Sequence, residues 1–221
     1  MKKILLIALL LVVGCSKSLD EESLIERGGV KYQQDSQKPY SGKVFRLYDT
    51  GENKNEGIEY GTVSPYFVRK ILRKLLINQS DIIIDCGCGK GRVLLIASQY
   101  KFNKVIGIEF SPELIAIAYA NIKRCKKYNN FNIDKIKIFE GDVLDYKFNN
   151  NESVFYLYNP FSNIILDKLC DHIVRSFNTN PRKILIAYVN PKFHNSIIGK
   201  GFVKIHEINL INKMCYIYSI E

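Results

Sequence analysis

Histidine is scarce in this chain. The three that occur, His172, His194 and His206, stand apart from one another and from any cysteine pair, so no zinc-type spacing arises. Cysteine occurs six times, at positions 15, 86, 88, 125, 170 and 215, too scattered for the dense framework of a small disulfide-stapled domain. Cys86 and Cys88 are poorly placed to bridge each other, and setting Cys15 aside leaves an odd number. The cysteines therefore read as buried free thiols of a reducing compartment. Long apolar runs are missing too. Ile4 to Val13 is a run of ten residues, which as a helix would rise about 15 Å, roughly half the hydrocarbon core of a bilayer. An ordinary membrane span is excluded on that length. A phosphate-binding Gly-x4-Gly-Lys-[Ser/Thr] loop occurs nowhere, which excludes nucleotide hydrolysis of that kind.

What is present is an ordinary globular mixture, with 47% hydrophobic and 24% charged residues in a chain of 221 residues. That size allows one domain, or one domain with an appendage, and the composition excludes wholesale disorder and collagen-like structure. Lys+Arg 32 against Asp+Glu 22 gives a net charge of +10, enough to attract polyanions while saying nothing about fold. The excess is uneven: residues 1–15 carry +2, residues 16–57 carry −1 and residues 58–221 carry +9.

The first 15 residues have the form of an export signal: Lys2 and Lys3, the apolar run, then Gly14-Cys15-Ser16. Val12-Val13-Gly14-Cys15 resembles a bacterial lipobox, and the resemblance implies lipidation at Cys15 and a membrane-anchored lipoprotein. A buried amino-terminal helix or strand is the plain alternative. Residues 16–56 are polar and punctuated by Gly28-Gly29, Pro39, Gly42 and Gly51. Within them, Tyr40 to Gly51 reads as a short strand bounded by turns. It resembles one unit of the MORN-type repeat, whose stacked copies are needed in about threes to bury a continuous face. A single unit implies an appendage.

The chemistry begins after residue 57. Ser64-Pro65 opens an amphipathic helix whose apolar positions are Phe67, Ile71, Leu72, Leu75 and Leu76. Asp81 to Asp85 is a β-branched run suited to a buried parallel strand. It runs straight into Cys86-Gly87-Cys88-Gly89-Lys90-Gly91-Arg92, and Val93 to Ser98 resumes as helix. Strand, glycine loop and helix together can present backbone N–H groups and a helix dipole to an electron-rich ligand. A dinucleotide fingerprint would need glycine where Arg92 stands. The pattern present is Asp85-x-Gly87-x-Gly89-x-Gly91, which resembles the first motif of class I S-adenosylmethionine (SAM)-dependent methyltransferases. The resemblance implies SAM as cofactor, with the glycines letting the backbone pass close to its methionine and ribose portions.

The downstream positions extend the resemblance. Lys104 to Ile108 is a second buried strand closed by Glu109, 24 residues after Asp85, where the family places a carboxylate on the ribose hydroxyls. Alone, Glu109 would be an acid facing water at a strand end. Ser111-Pro112 opens another helix. A third strand, Lys135 to Phe139, leads to Gly141-Asp142, where the family often meets the adenine amino group, although a lone Gly-Asp is usually a turn. The fourth strand, Val154 to Tyr158, ends in Asn159-Pro160-Phe161, similar to the [Asp/Asn]-Pro-Pro-[Tyr/Phe] motif of amino-group methyltransferases. The second proline is missing. By that likeness Asn159 and the Pro160 carbonyl orient an acceptor nitrogen and Phe161 walls it; the plain alternative is a turn that ends the strand. Tyr60 and Thr62, in a Glu-Tyr-Gly-Thr segment, are expected to close over the cofactor.

The rest completes a seven-stranded count: a helix from Asn163 to Phe177, a strand from Arg182 to Val189, and two extended runs, Phe202 to Leu210 and Met214 to Ile220. The expectation is an α/β, Rossmann-like class I methyltransferase domain over residues 57–221, with a mostly parallel sheet, helices on both faces and a carboxyl-terminal antiparallel hairpin. Three readings of function stay open: methyl transfer to a nitrogen on a protein or small molecule, SAM binding without transfer on a membrane-anchored lipoprotein, and RNA methylation. For the last, Lys123, Arg124, Lys126 and Lys127 cluster at a helix end, but no RNA-binding module accompanies them. The leader points out of the cytoplasm while SAM and the unpaired thiols belong inside it. A tethered domain, an exported inactive one, or two joined fragments meeting near Glu56-Gly57 would each resolve that conflict.

Overall fold

The computed structural model describes residues 24–27, 30–33, 63–210 and 212–221. Two short antiparallel strands come first, β1 (Leu24–Arg27) and β2 (Val30–Gln33). They flank Gly28-Gly29 in the sequence, a dipeptide favoured in two-residue hairpin loops. The strand read between Tyr40 and Gly51 lies outside the described residues, as does the leader.

The main body opens with α1 (Pro65–Lys74). Ser64 caps it by accepting a hydrogen bond from the Phe67 N–H at 3.2 Å, and Pro65 stands in the first turn. Then follow β3 (Ile82–Cys86), α2 (Arg92–Ala97), β4 (Lys104–Glu109), α3 (Pro112–Cys125), β5 (Ile136–Glu140), β6 (Val154–Tyr158), α4 (Asn163–Thr179), β7 (Ile184–Val189), α5 (His194–Ile198), β8 (Val203–Leu210) and β9 (Lys213–Ile220). The seven-stranded sheet runs β5-β4-β3-β6-β7-β9-β8. The first five of these strands are parallel, and β9 pairs antiparallel with both β7 and β8. The expected fold is the one observed, with the hairpin closing the sheet.

Strands β3 and β7 are buried along their whole lengths, which explains why Ile82 to Ile84 and Ile184 to Val189 run apolar without alternating. One face packs Ile83, Val105, Tyr156 and Ala187 against α1 and α2, with Phe67, Ile71 and Leu94. The other packs Ile84, Phe155, Leu157 and Ile186 against α4, with Leu166, Leu169 and Ile173. Burial of each of the Ile, Leu, Val and Phe side chains among them contributes about 1.5–3 kcal/mol.

Helices join β3 to β4, β4 to β5 and β6 to β7, but among the described residues none joins β5 to β6. Aromatic rings take its place on that face. Phe139, Tyr146, Phe148 and Phe155 meet edge to face in succession, at centroid separations of 5.3, 5.5 and 5.4 Å. Glu152, fully buried, ties down the linker by accepting N–H bonds from Asn149 at 3.0 Å and Asn151 at 3.3 Å. Of the cysteines, Cys86, Cys88, Cys125, Cys170 and Cys215 are buried. No helix among the described residues is long and apolar enough to cross a membrane.

Candidate active site

The crevice of an open α/β sheet lies outside the carboxyl ends of its parallel strands, and the chemistry-bearing residues gather there. From β3 the chain turns through Gly87, Gly89 and Gly91, all left-handed, at φ +81°, +52° and +77°. The loop is strapped to the end of β4. The Gly87 and Cys88 N–H groups both donate to the Ile108 carbonyl, at 2.9 and 3.0 Å, and the Gly91 N–H donates to the Cys88 carbonyl at 3.0 Å. The Gly89 N–H donates to Glu109 Oε2 at 2.9 Å. These four groups are thus engaged rather than open to a ligand, as the loop sequence alone suggested. The strapping also explains Gly107 inside β4. A Cβ there would lie 2.6 Å from Cys88 Sγ and 2.7 Å from Leu94 Cδ1, so no side chain fits.

Glu109 is buried, and its other oxygen accepts from the Phe110 and Ser111 N–H groups at 3.1 and 3.0 Å. Burial raises its pKa, and the three N–H bonds oppose that rise. Asp85 is buried beside it. Its pKa is pushed well above the ordinary carboxylate range, first by burial and then by the charge of Glu109. Two buried acids that repel each other are relieved by a cation. SAM, with its sulfonium and ammonium groups, fits that demand.

The exit of β5 joins the same edge, where the Gly141 N–H donates to the Glu109 carbonyl at 2.9 Å. The next residue, Asp142, accepts the Leu144 N–H at 2.8 Å and so ties a local turn. Tyr60, Thr62 and Cys15, singled out in the sequence, lie outside the described residues.

On the neighbouring strand, β6 ends in Asn159-Pro160-Phe161. Asn159 is buried and left-handed, with φ +42°, a conformation asparagine tolerates better than most residues. Pro160 packs directly over the glycine loop: a Cβ on Gly87 would lie 3.0 Å from Pro160 Cβ. Phe161 is half-buried and packs against the core beneath α4. The structure also brings in a residue that the sequence reading passed over. Tyr188 of β7 donates its hydroxyl hydrogen to Asn159 Oδ1 at 3.0 Å in a buried setting. In the sequence Tyr188 is one more large residue in an apolar strand, and nothing marks its partner 29 positions away. Beyond it, a cavity of about 690 Å³ opens at the tips of β7 and the β8–β9 hairpin, with Asn190, Lys192, Leu210, Lys213 and Met214 in its lining. Lys213 reaches from that lining to the Tyr158 hydroxyl.

The model of the methyltransferase domain family matches residues 77–197. A protein-lysine N-methyltransferase of Saccharolobus islandicus is 35% identical over 77 residues, 34% of this chain and 48% of that protein. A ribosomal protein L11 methyltransferase of Lachnospira eligens is 25% identical over 116 residues, 51% of this chain and 35% of that protein. The matched part therefore spans less than half the length of either relative. Among solved structures, an RNA methyltransferase from Salinibacter ruber, in complex with S-adenosyl-L-homocysteine, has the same fold. The two superpose with a TM-score of 0.55 at 19% identity, over 73% of this chain and 94% of that one. With more than half of its length covered by the family model, the chain belongs to the methyltransferase domain family, the SAM-dependent class I enzymes that its glycine loop resembles.

Proposed function

We propose that this chain binds SAM at the carboxyl edge of β3 and β4 and transfers the methyl group to a nitrogen on a protein or a small molecule. The observation that carries the reading is the contact of Pro160 with Gly87, which sets the turn holding buried Asn159 beside the glycine loop. When bound, SAM supplies both the methyl group and its own leaving group, a sulfonium that loses its charge. The chain's contribution is placement. Asp85 and Glu109 offer negative charge to the cationic cofactor, Glu109 with a lone pair for the ribose, while Asp142 stands toward the adenine. Tyr60 and Thr62, which lie outside the described residues, are assigned to covering the cofactor by the family resemblance alone. Asn159 and the Pro160 carbonyl aim the acceptor nitrogen, and Phe161 bounds it. Alignment of this kind can be worth about 7–11 kcal/mol of barrier. A base is needed only where the acceptor is protonated at working pH. A protein amine is the acceptor named for the Saccharolobus relative, which supports this choice.

One observation favours RNA as a second reading. Lys192 and Lys213 line the cavity beside the acceptor motif, Lys70 bonds the Asn209 carbonyl at its rim at 3.1 Å, and no carboxylate is among its lining residues. Incubating the protein with methyl-labelled SAM and a cell extract, then treating with protease or nuclease, separates the readings. Label released by protease or found in small molecules supports the first. Nuclease-released label supports the second, and no transfer with intact SAM binding would overturn both.

A further inference from the structure

Asn159 has two chemically different ends, and an amine-aiming role needs its oxygen end held in a known place. The structure supplies the means. The Tyr188 hydroxyl lies 3.0 Å from Asn159 Oδ1, and both residues are buried, at 1% and 7% exposure. A hydroxyl has one hydrogen to give. With Oδ1 at 3.0 Å, Tyr188 gives that hydrogen to Asn159, and only the oxygen end of the carboxamide can receive it. The direction of the bond is thereby set from Tyr188 to Asn159. It fixes Oδ1 against β7 and leaves one Oδ1 lone pair and the Nδ2 hydrogens for other partners.

Two features of the backbone make the lock more than a packing contact. Asn159 adopts φ +42° at the end of β6, so its side chain leaves the strand at an angle that the strand alone does not determine. The same geometry recurs next door. Tyr158 pairs with Val189 in parallel register, so Asn190, at φ +51° and also followed by proline, ends β7 beside Asn159. Asn190 is held instead through its backbone, its N–H donating to the Met214 carbonyl at 2.8 Å. Of the two adjacent Asn-Pro ends, the one over the glycine loop has its carboxamide bonded to a buried tyrosine.

We propose that Tyr188 is a positioning residue for methyl transfer, holding the Asn159 carboxamide in the single orientation that presents its free oxygen lone pair to the acceptor. The proposal rests on the reading of Asn159 as the acceptor-aiming group. In its absence the amide is free to turn over, and a donor then faces an acceptor N–H.

The test compares the full chain with Tyr188→Phe, Asn159→Ala and the double variant. Titration with SAM, transfer of labelled methyl into cell extract and the side-chain amide resonances of Asn159 are measured for each. Tyr188→Phe is expected to keep SAM affinity within about twofold while transfer falls about tenfold or more, since small misplacements of aligned groups act at that scale. The Asn159 amide pair should shift and broaden, and the double variant should transfer no worse than Asn159→Ala alone. Unshifted Asn159 amide resonances in Tyr188→Phe would overturn the lock, whether or not the extract holds an acceptor. Full transfer by Tyr188→Phe alongside an impaired Asn159→Ala would overturn the positioning role. Full transfer by Asn159→Ala would instead remove the reading of Asn159 on which both depend.

Discussion

Gly87 and Pro160 pack so closely that a Cβ on Gly87 would stand 3.0 Å from Pro160 Cβ. Gly87 belongs to the cofactor loop after β3, and Pro160 to the acceptor motif after β6. The strands themselves are hydrogen-bonded neighbours, Cys86 opposite Leu157. The two halves of the proposed site are therefore packed directly against each other.

Gly87→Ala meets two obstacles, the crowded Pro160 and a backbone at φ +81° that L residues rarely adopt. A residue forced into such a conformation costs about 1–3 kcal/mol. The expected outcome is a lower melting temperature together with loss of both SAM affinity and methyl transfer. Thermal melts and SAM titration check it. A variant that melts like the parent and binds SAM equally well would mean that the loop and the Asn-Pro turn are not coupled.

Asp85 works against the stability of the ligand-free chain. Its folded pKa is raised, so its contribution to stability is fully present below the unfolded carboxylate pKa and is lost as pH rises through the folded value. Asp85→Asn removes the buried charge. At neutral pH the variant should melt higher than the parent without SAM, and the gap should close as pH falls toward the ordinary carboxylate range. SAM affinity should move the other way, weaker in the variant, because the cation loses a counter-charge. Melting curves from acid to neutral pH, with and without SAM, read both effects. A lower melting point for the variant at neutral pH would contradict the assignment.

Glu109 carries two tasks that different substitutions separate. Its carboxylate satisfies the N–H groups of Gly89, Phe110 and Ser111. Glu109→Ala strands these buried donors, and each unpaired group costs about 1–3 kcal/mol. Loss of stability is therefore expected along with loss of affinity. Glu109→Gln keeps one acceptor oxygen and most of the shape. SAM affinity of a folded Gln variant is expected to drop about 10- to 150-fold, equivalent to about 1.5–3 kcal/mol for a charged acceptor. Unchanged affinity, measured by calorimetric titration, would assign Glu109 to loop architecture alone.

The parts of this site legible in the sequence are those whose residue type is odd for its surroundings. Asp85 and Glu109 close runs of Ile and Val, and three glycines alternate immediately after Asp85. Apolar strands seldom end in acids without a use for them, and the glycines mark backbone that other residues cannot follow. The strand bounds moved by one or two residues at most positions, as at β3, which takes in Cys86 rather than Asp81. What stayed hidden are relations set by tertiary packing. Tyr188 looks like core because it is core, with one hydroxyl spent on a distant turn. The five-residue α5, His194–Ile198, is too short to show helical periodicity. The helix missing between β5 and β6 could not be inferred from Tyr146 and Phe148, whose aromatic contacts form only once Phe139 and Phe155 are side by side.

The working domain has an amino-terminal limit that can be tested. Val63 is buried, and its carbonyl accepts Arg92 Nη1 at 2.6 Å, so the chain just before α1 is joined to the first turn after the glycine loop. Any boundary therefore lies ahead of Val63. The change in charge from −1 over residues 16–57 to +9 over residues 58–221 puts the expected boundary near Glu56-Gly57. On that reading, residues 57–221 fold alone and bind SAM as well as residues 16–221. A ligand present at 100 times its dissociation constant adds about 2.7 kcal/mol to the stability of whatever binds it. Melting both lengths with and without saturating SAM should show the same upward shift in each. A shift seen only in the longer chain would make residues 16–56 part of the cofactor site, and the polar segment would then belong to the enzyme rather than to its attachment.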